Sequence, residues 1–273
     1  MRYFLIGDVH GNLEALDTVR KDMLTNYGFS FNAKRNGKSK LINLGDSVGY
    51  MANPNEVMNI VFRSADENLL GNHDLASVDE SLLDEFNPMA AEALKWTRSN
   101  LTPQNKKRLL DLVKKRRYAF KENGIVFAHS TPYASEAMNY VENRHDAWSG
   151  FFSHEEFEGK IAFVGHIHVP QIYVVYKSNP KRSDIFGRIV EFNSWDQRKV
   201  VSRDLSDAKS ALVVIPSVGQ PRDSCPMTGY AVYDCQNKKV DMVRVPYNVA
   251  KTQDKMIAFG FDERLYLRLG VGR

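Results

Sequence analysis

Short apolar runs recur through the first 170 residues, and polar residues or a segment with helical spacing follow each run. Their β-prone composition is typical of buried strands. We predict such strands at residues 2–6, 41–44, 68–70, 118–120, 124–127 and 161–164. Apolar residues at helical spacing predict helices at 13–23 and 56–62. The alternation predicts an α/β fold.

Residues 78–115 lack this strand rhythm and have helical spacing instead. The helical segments are 81–85, 90–99 and 104–114, and Pro88 and Pro103 stand at helix starts. We predict a helical insertion near residues 78–115 that covers one edge of the functional site as a candidate lid.

Beyond residue 170 the pattern favours antiparallel strands, at 172–176, 188–192, 211–215, 229–233 and 240–245. An amphipathic segment at 254–269 predicts a final helix, and Asn36-Gly37 predicts a turn within the basic stretch 34–40. The chain has no fixed-period repeat and no low-complexity linker. We therefore predict one domain over residues 1–273.

Composition narrows the class of protein. Hydrophobic residues make up 43% of the 273 residues, which is enough for a full core. No apolar run is long enough to span a membrane and the N-terminus does not resemble a signal peptide, so a cytoplasmic location is expected.

Cys225 and Cys235 are expected to be reduced thiols. A net charge of +4 suits an anionic substrate but does not predict nucleic-acid binding, since the basic runs 114–117 and 177–182 are typical of solvated surfaces.

Metal-binding side chains follow five of the predicted strands, each time directly after a Gly or Ala. These side chains are Asp8, His10, Asp46, Asn72, His73, His129, His166 and His168. Strand ends of an α/β sheet are where ligands bind, and gathering these groups at one edge costs desolvation and charge repulsion unless cations sit among them. Carboxylate, imidazole and amide ligands without thiolate suit Mn, Fe or Zn. The set is too large for one tetrahedral ion, so we predict two ions bridged by a carboxylate.

The motifs and their order resemble the calcineurin-like metallophosphoesterase superfamily. They read Gly-Asp-Val-His-Gly-Asn (7–12), Gly-Asp-Ser-Val-Gly-Tyr (45–50), Gly-Asn-His-Asp (71–74), Ala-His-Ser (128–130) and Gly-His-Ile-His (165–168). The resemblance implies a four-layer α/β-β-α sandwich with a dinuclear site. By position, it assigns the first metal to Asp8, His10 and His168, the second to Asn72, His129 and His166, and the bridge to Asp46.

The resemblance also implies that a metal-bridging hydroxide attacks phosphorus and that His73 meets the phosphate or the leaving oxygen. The alternative for His73 is a structural histidine held by Asp74 or another carboxylate. Asn12 is a candidate substrate ligand, and the alternative is that it caps the following helix.

The substrate class rests on further motifs. The second motif lacks the Arg of the protein-phosphatase branch, whereas Ser-Val-Gly-Gln-Pro-Arg-Asp (217–223) is similar to a bacterial and archaeal phosphodiesterase-like subgroup. Val-Ile-Pro stands where that subgroup has Asn-Pro-Gly. We expect hydrolysis of phosphodiester or phosphoanhydride bonds, with nucleotides and dinucleoside polyphosphates as candidates. Arg222 would hold the phosphate or pair with Asp223, and aromatic residues such as Tyr133 would stack on a base or serve packing. A phosphomonoesterase or protein phosphatase is the alternative, followed by a non-catalytic scaffold.

Overall fold

The computed structural model describes residues 1–32, 37–178, 186–189 and 196–273. Within these residues twelve strands form two six-stranded sheets. The strands are β1 (Arg2–Ile6), β2 (Ser39–Asn43), β3 (Glu67–Asn68), β4 (Ala119–Glu122), β5 (Ile125–Ala128), β6 (Ile161–Val164), β7 (Gln171–Tyr176), β8 (Phe186–Ile189), β9 (Lys199–Asp204), β10 (Ala208–Val214), β11 (Thr228–Asp234) and β12 (Lys239–Val245). Their order is β3-β2-β1-β11-β12-β9 in the first sheet and β4-β5-β6-β10-β7-β8 in the second.

Helices cover the outer faces of the sheets and fill the stretch between β3 and β4. They are α1 (Leu13–Tyr27), α2 (Pro54–Ser64), α3 (Asn72–Ala76), α4 (Pro88–Asn100), α5 (Pro103–Lys114), α6 (Arg144–Ala147), α7 (Val249–Ala258) and α8 (Glu263–Leu267). A 3-10 helix at Glu80–Glu85 precedes α4, so the predicted helical insertion is present.

Alternate residues of the central strands face different layers. In β1, Tyr3 and Leu5 pack between the two sheets, whereas Phe4 and Ile6 pack against α1 and α2. In β5, Phe127 points between the sheets and Val126 packs under α6 and the turns around it. Both faces of these central strands are therefore covered, which is why their runs are continuously apolar. This arrangement confirms the predicted four-layer sandwich.

Parallel pairing brings the strand ends of each sheet to one edge. β1 pairs with β2 and β2 with β3, all parallel, and β5 pairs with β6 in parallel. The loops beyond these strands bond one another, since His10 N donates to Asp46 O at 2.9 Å and Gly165 N to His129 O at 2.9 Å. The strand ends that carry the predicted metal ligands therefore meet.

Some predicted elements differ from the structure. The segment at 254–269 is not one helix but two, α7 and α8, and the backbone of Gly260 between them is left-handed. We did not predict β9, an edge strand whose residues are exposed or half-buried and too polar to form an apolar run. β3 ends at Asn68, before the buried Leu69 and Leu70. Residues 34–36 and 190–192 of the predictions lie outside the described residues.

Cys225 and Cys235 are free thiols, as predicted. None of the helices in the described part of the chain is long and apolar enough to cross a membrane.

Candidate metal centre

The metal-binding side chains predicted from the sequence converge on one buried site between the ends of the two sheets. The first sheet supplies Asp8 and His10 after β1, and Asp46 after β2. The second sheet supplies His129 after β5, and His166 after β6. His168 lies on the same loop as His166, and Asn72 begins α3.

The backbone at this site is held in an unusual conformation. Five of the predicted ligand residues have positive φ although they are not glycines: Asp8, His10, Asp46, His166 and His168. Non-glycine residues seldom adopt this region, and such strain clusters where surrounding structure enforces a functional geometry. Gly71 shows how tight the packing is, because a Cβ atom there would lie 2.0 Å from Asp46 Oδ1.

One group of ligand atoms joins the two sheets. The Nε2 atoms of His10 and His168 lie 3.1 Å apart, and His168 Nε2 lies 3.6 Å from Asp8 Oδ1. The Asp8 carboxylate also accepts a hydrogen bond from the backbone N of His166 at 3.0 Å. These three side chains are buried and form a compact cation-sized group.

A second group lies beside the first. His129 Nε2 is 3.1 Å from His166 Nδ1 and 3.3 Å from Asn72 Oδ1. Asp46 Oδ2 lies 3.4 Å from His129 Nε2 and 3.7 Å from His10 Nε2, so this carboxylate faces both groups. The position of Asp46 is the one that a bridging ligand requires.

Backbone carbonyls fix which nitrogen of each imidazole faces the site. The Nδ1 atoms of His10, His129 and His168 lie 3.1, 3.0 and 2.6 Å from the carbonyl oxygens of Val48, Leu44 and Gln220. A carbonyl oxygen can only accept, so these Nδ1 atoms carry the hydrogen. His166 is reversed, with Nε2 at 3.0 Å from Met138 O and Nδ1 towards the site. Each ring therefore directs its lone pair inward, as metal-ligating histidines do.

The pKa shifts of the buried side chains show where the site favours a positive charge. Burial raises the pKa of Asp8 to about 7 and lowers the pKa of His166 to about 3. Burial also opposes ionisation of Asp46, but the neighbouring His129 and His73 hold the pKa of this carboxyl well below its usual range. Burial alone would lower the pKa of His129, but Asp46, with Asp8 and Asp74, raises it to about 9. The protein thus favours a cation at the position of the His129 proton.

The donor set fits two metal ions. Imidazole nitrogens that face one another at 3.1 Å repel through their lone pairs unless a cation or proton lies between them. Buried carboxylates, imidazoles and an amide oxygen, without thiolate, match the ligands of Mn, Fe or Zn.

His73 lies beside the ligands with its ring packed among Tyr50, Phe86 and His10, at centroid distances of 4.5, 4.9 and 4.7 Å. Asp74 does not hold it, because that carboxylate accepts hydrogen bonds from the backbone N atoms of Gly71 and Val48. Among the described residues, His73 Nδ1 has no hydrogen-bond partner. Burial lowers the pKa of His73 to about 4.

Asn12 fits the capping alternative. Its Oδ1 accepts from the backbone N of Ala15 at 3.1 Å, and its Nδ2 donates to Gly219 O at 2.9 Å and to the Tyr247 hydroxyl at 3.2 Å. Both Nδ2 hydrogens are thereby used, and the side chain is fully buried. Asn12 therefore ties α1 to the loop that carries Arg222.

A cavity of 490 Å³, here called the catalytic cavity, opens from the predicted metal-binding residues. Arg222 lines it, and its Nη2 donates to Gln220 Oε1 at 2.7 Å. The alternative for Arg222, a pair with Asp223, does not form, since Asp223 Oδ2 accepts from Arg244 Nη2 at 2.6 Å. Arg222 therefore presents its charge to the cavity.

Two features of the site were not predicted from the sequence. The carbonyls that orient the imidazoles are backbone groups, and residue type gives no signal for them. Tyr140 stacks on His166, with ring centroids 4.2 Å apart and planes at 14°. The signal available for Tyr140 was one aromatic residue in a loop without a motif.

Known proteins are similar to this chain in sequence and in fold. A family model described as calcineurin-like phosphoesterase matches residues 1–170. The chain is 30% identical to MJ0912, a protein of Methanocaldococcus jannaschii described as uncharacterized, over 98% of this chain and 97% of that protein. The structure of this chain is similar to that of a metallophosphoesterase from Sphaerobacter thermophilus, with a TM-score of 0.77 and 29% identity. The match covers 100% of this chain and 99% of that protein. The fold is also that of the hypothetical protein PH1004 from Pyrococcus horikoshii, with a TM-score of 0.70, 15% identity, and 100% and 98% covered. This chain belongs to the calcineurin-like phosphoesterase family and is a metal-dependent phosphoesterase.

Proposed function

We propose that the protein hydrolyses phosphodiester or phosphoanhydride bonds with two metal ions. The first ion would be held by Asp8, His10 and His168, the second by Asn72, His129 and His166, with Asp46 shared between them. The observation that carries the proposal is the pair of facing imidazole nitrogens on each side of Asp46, each 3.1 Å apart. Mn, Fe and Zn are the candidate metals.

Two cations held there would supply charge that polarises a phosphate ester and acidifies water. The chain adds groups that bind and orient the substrate. Arg222 would hold a phosphate oxygen, since its guanidinium lines the catalytic cavity and Gln220 Oε1 fixes its direction. His73 would donate a hydrogen bond to the phosphate or the leaving oxygen, because it lines the same cavity beside Asn72. Burial lowers its pKa to about 4, so the neutral ring would donate this hydrogen bond rather than a proton.

The charge of the catalytic cavity supports a phosphodiester over a phosphomonoester. Among the described residues that line it, Arg222 is the one Arg or Lys, and Glu85 and Glu136 also line it. A phosphomonoester carries about two negative charges near neutral pH, because its second pKa is about 6. A diester carries one, so it meets less repulsion from these carboxylates.

Counting bound metal tests the proposed ligands. Metal-free protein prepared with a chelator should take up two Mn²⁺ ions per chain, measured by mass spectrometry of the metal. Asp46→Asn should lower both the metal content and the hydrolysis of bis(p-nitrophenyl) phosphate, the latter about 100-fold or more. Asp111→Asn, on the exposed side of α5, is the matched control and should change neither. If Asp46→Asn kept the full rate, the bridging role would be wrong.

The His73→Ala variant tests the proposed hydrogen-bond donor. It should lower kcat by about 10²–10³-fold while the chain still binds two ions. A variant that lost its metal would instead show that His73 supports the ligands.

A panel with Mn²⁺ tests the substrate class. Bis(p-nitrophenyl) phosphate and a dinucleoside polyphosphate should be hydrolysed with higher kcat/KM than p-nitrophenyl phosphate and a phosphopeptide. The opposite order would favour the phosphatase alternative, and no hydrolysis by metal-loaded protein would favour a scaffold.

A further inference from the structure

A second cavity, of 440 Å³, lies beside the catalytic cavity, and Tyr140 lines both. It is formed by residues from 131–142 and 145–150, and we call it the outer cavity. Its volume is within the range of about 300–1,000 Å³ that is usual for small-molecule sites. Because Tyr140 stacks on the proposed metal ligand His166, a molecule bound at the metal site can reach this cavity directly.

Two aromatic rings in the outer cavity are backed by imidazoles. Tyr140 is 50% exposed and stacks on His166. Tyr133 is 47% exposed and stacks on His154, with ring centroids 3.6 Å apart and planes at 13°. A tyrosine fixed in this way and still half exposed offers a flat apolar surface to a planar ligand at little cost in conformational entropy.

The remaining lining of the outer cavity is polar but not basic. The side chains of Asn139, Glu142 and His145 line it and make no hydrogen bond to another side chain or backbone group of the described residues. None of its lining residues is Lys or Arg, whereas Glu142 and Asp146 contribute carboxylates. The outer cavity therefore repels a phosphate and suits a neutral ring that carries hydrogen-bond donors.

We propose that the outer cavity binds the nucleobase of a nucleotide substrate whose phosphate lies in the catalytic cavity. The proposal rests on the proposed phosphoesterase function and narrows its substrate class. The base stacks on Tyr140 as a third ring beyond His166, and its polar edge meets Asn139 and Glu142. Arg222 and the metal-binding residues hold the phosphate on the other side of Tyr140.

Two ligands that share a ribose 5-phosphate group, one with a base and one without, measure how much the base contributes to binding. Adenosine 5′-monophosphate and ribose 5-phosphate are titrated into Mn²⁺-loaded protein by calorimetry. Base stacking on an aromatic side chain predicts that the nucleotide binds about 5- to 150-fold more tightly than the sugar phosphate. Tyr140→Ala should remove most of this ratio and leave ribose 5-phosphate binding within about twofold, whereas Tyr140→Phe keeps the ring and the ratio.

Equal affinities for the two ligands in the wild-type protein would overturn the proposal, and so would tighter binding of the sugar phosphate. An equal loss for both ligands in Tyr140→Ala would also overturn it, since Tyr140 would then act through His166. If Tyr140→Ala fails to bind two ions, Tyr133→Ala is judged by the same criterion. Hydrolysis of bis(p-nitrophenyl) phosphate is measured in parallel, so failure of the subsite is distinguished from failure of the proposed function.

Discussion

Replacing Arg244 with Met should destabilise the fold strongly, because it leaves the Asp223 carboxylate buried without its counter-charge. Arg244 Nη2 donates to Asp223 Oδ2 at 2.6 Å, and the two side chains are 0% and 5% exposed. Arg244 Nη1 also donates to the carbonyl of Met227 at 2.9 Å. The pair anchors the loop that carries Arg222 and the carbonyl of Gln220.

The expected loss of stability follows from the burial of the Arg244–Asp223 pair. Removing one partner of a buried ion pair costs about 3–5 kcal/mol, because the remaining charge has lost its partner and cannot reach water. Total stabilities of domains are about 5–15 kcal/mol, so this loss is a large part of the whole. The double variant Arg244→Met/Asp223→Leu should recover part of it, since no uncompensated charge remains.

Urea unfolding followed by circular dichroism measures this loss. Arg264→Met is the matched control, since Arg264 Nη2 also lies 2.6 Å from an aspartate Oδ2, that of Asp262, but these side chains are 66% and 23% exposed. Its unfolding midpoint should stay within experimental error of the wild type, because exposed pairs contribute little. A midpoint for Arg244→Met no lower than that for Arg264→Met would refute the reasoning from burial.

Variants at three further positions test the site and the residues that support it. Gly71→Ala should bind fewer than two metal ions by mass spectrometry, because its Cβ would lie 2.0 Å from Asp46 Oδ1. Arg222→Met should raise KM for a phosphodiester about tenfold or more at unchanged metal content, and Arg222→Lys should restore only part, since Lys cannot bind phosphate in bidentate fashion. Burial raises the pKa of Glu14, but the hydrogen bond and the charge of Lys255, together with a backbone hydrogen bond and Lys251, outweigh burial and lower this pKa below the usual 4.5. Wild-type protein should therefore be more stable than Glu14→Gln above about pH 4.5, and urea unfolding should show this difference vanish as the pH falls through the lowered pKa.

Local patterns were sufficient to select the side chains that the fold brings together at the candidate metal centre. A short apolar run predicts a strand, and the polar residues after it must lie at the strand's end whatever the rest of the chain does. Asp8, Asp46 and His129 could be selected on this basis, and the order of their motifs indicated the family. The β9 strand was missed because it lies at a sheet edge, where little burial imposes an apolar pattern.

The roles of individual groups depended on contacts between distant residues. His168 Nδ1 meets the carbonyl of Gln220, and Asp223 pairs with Arg244 rather than with its neighbour Arg222. Tyr140 belongs to a loop without a motif and gains its place by stacking on His166.

The sequence alone thus determined which ligand types the chain carries and at which strand ends, because residue type and strand periodicity are local properties. The tertiary structure alone decided which nitrogen of each imidazole faces the site, which charges pair, and that a second cavity adjoins the first. Those choices depend on the packing of segments far apart in the chain, which no local pattern encodes.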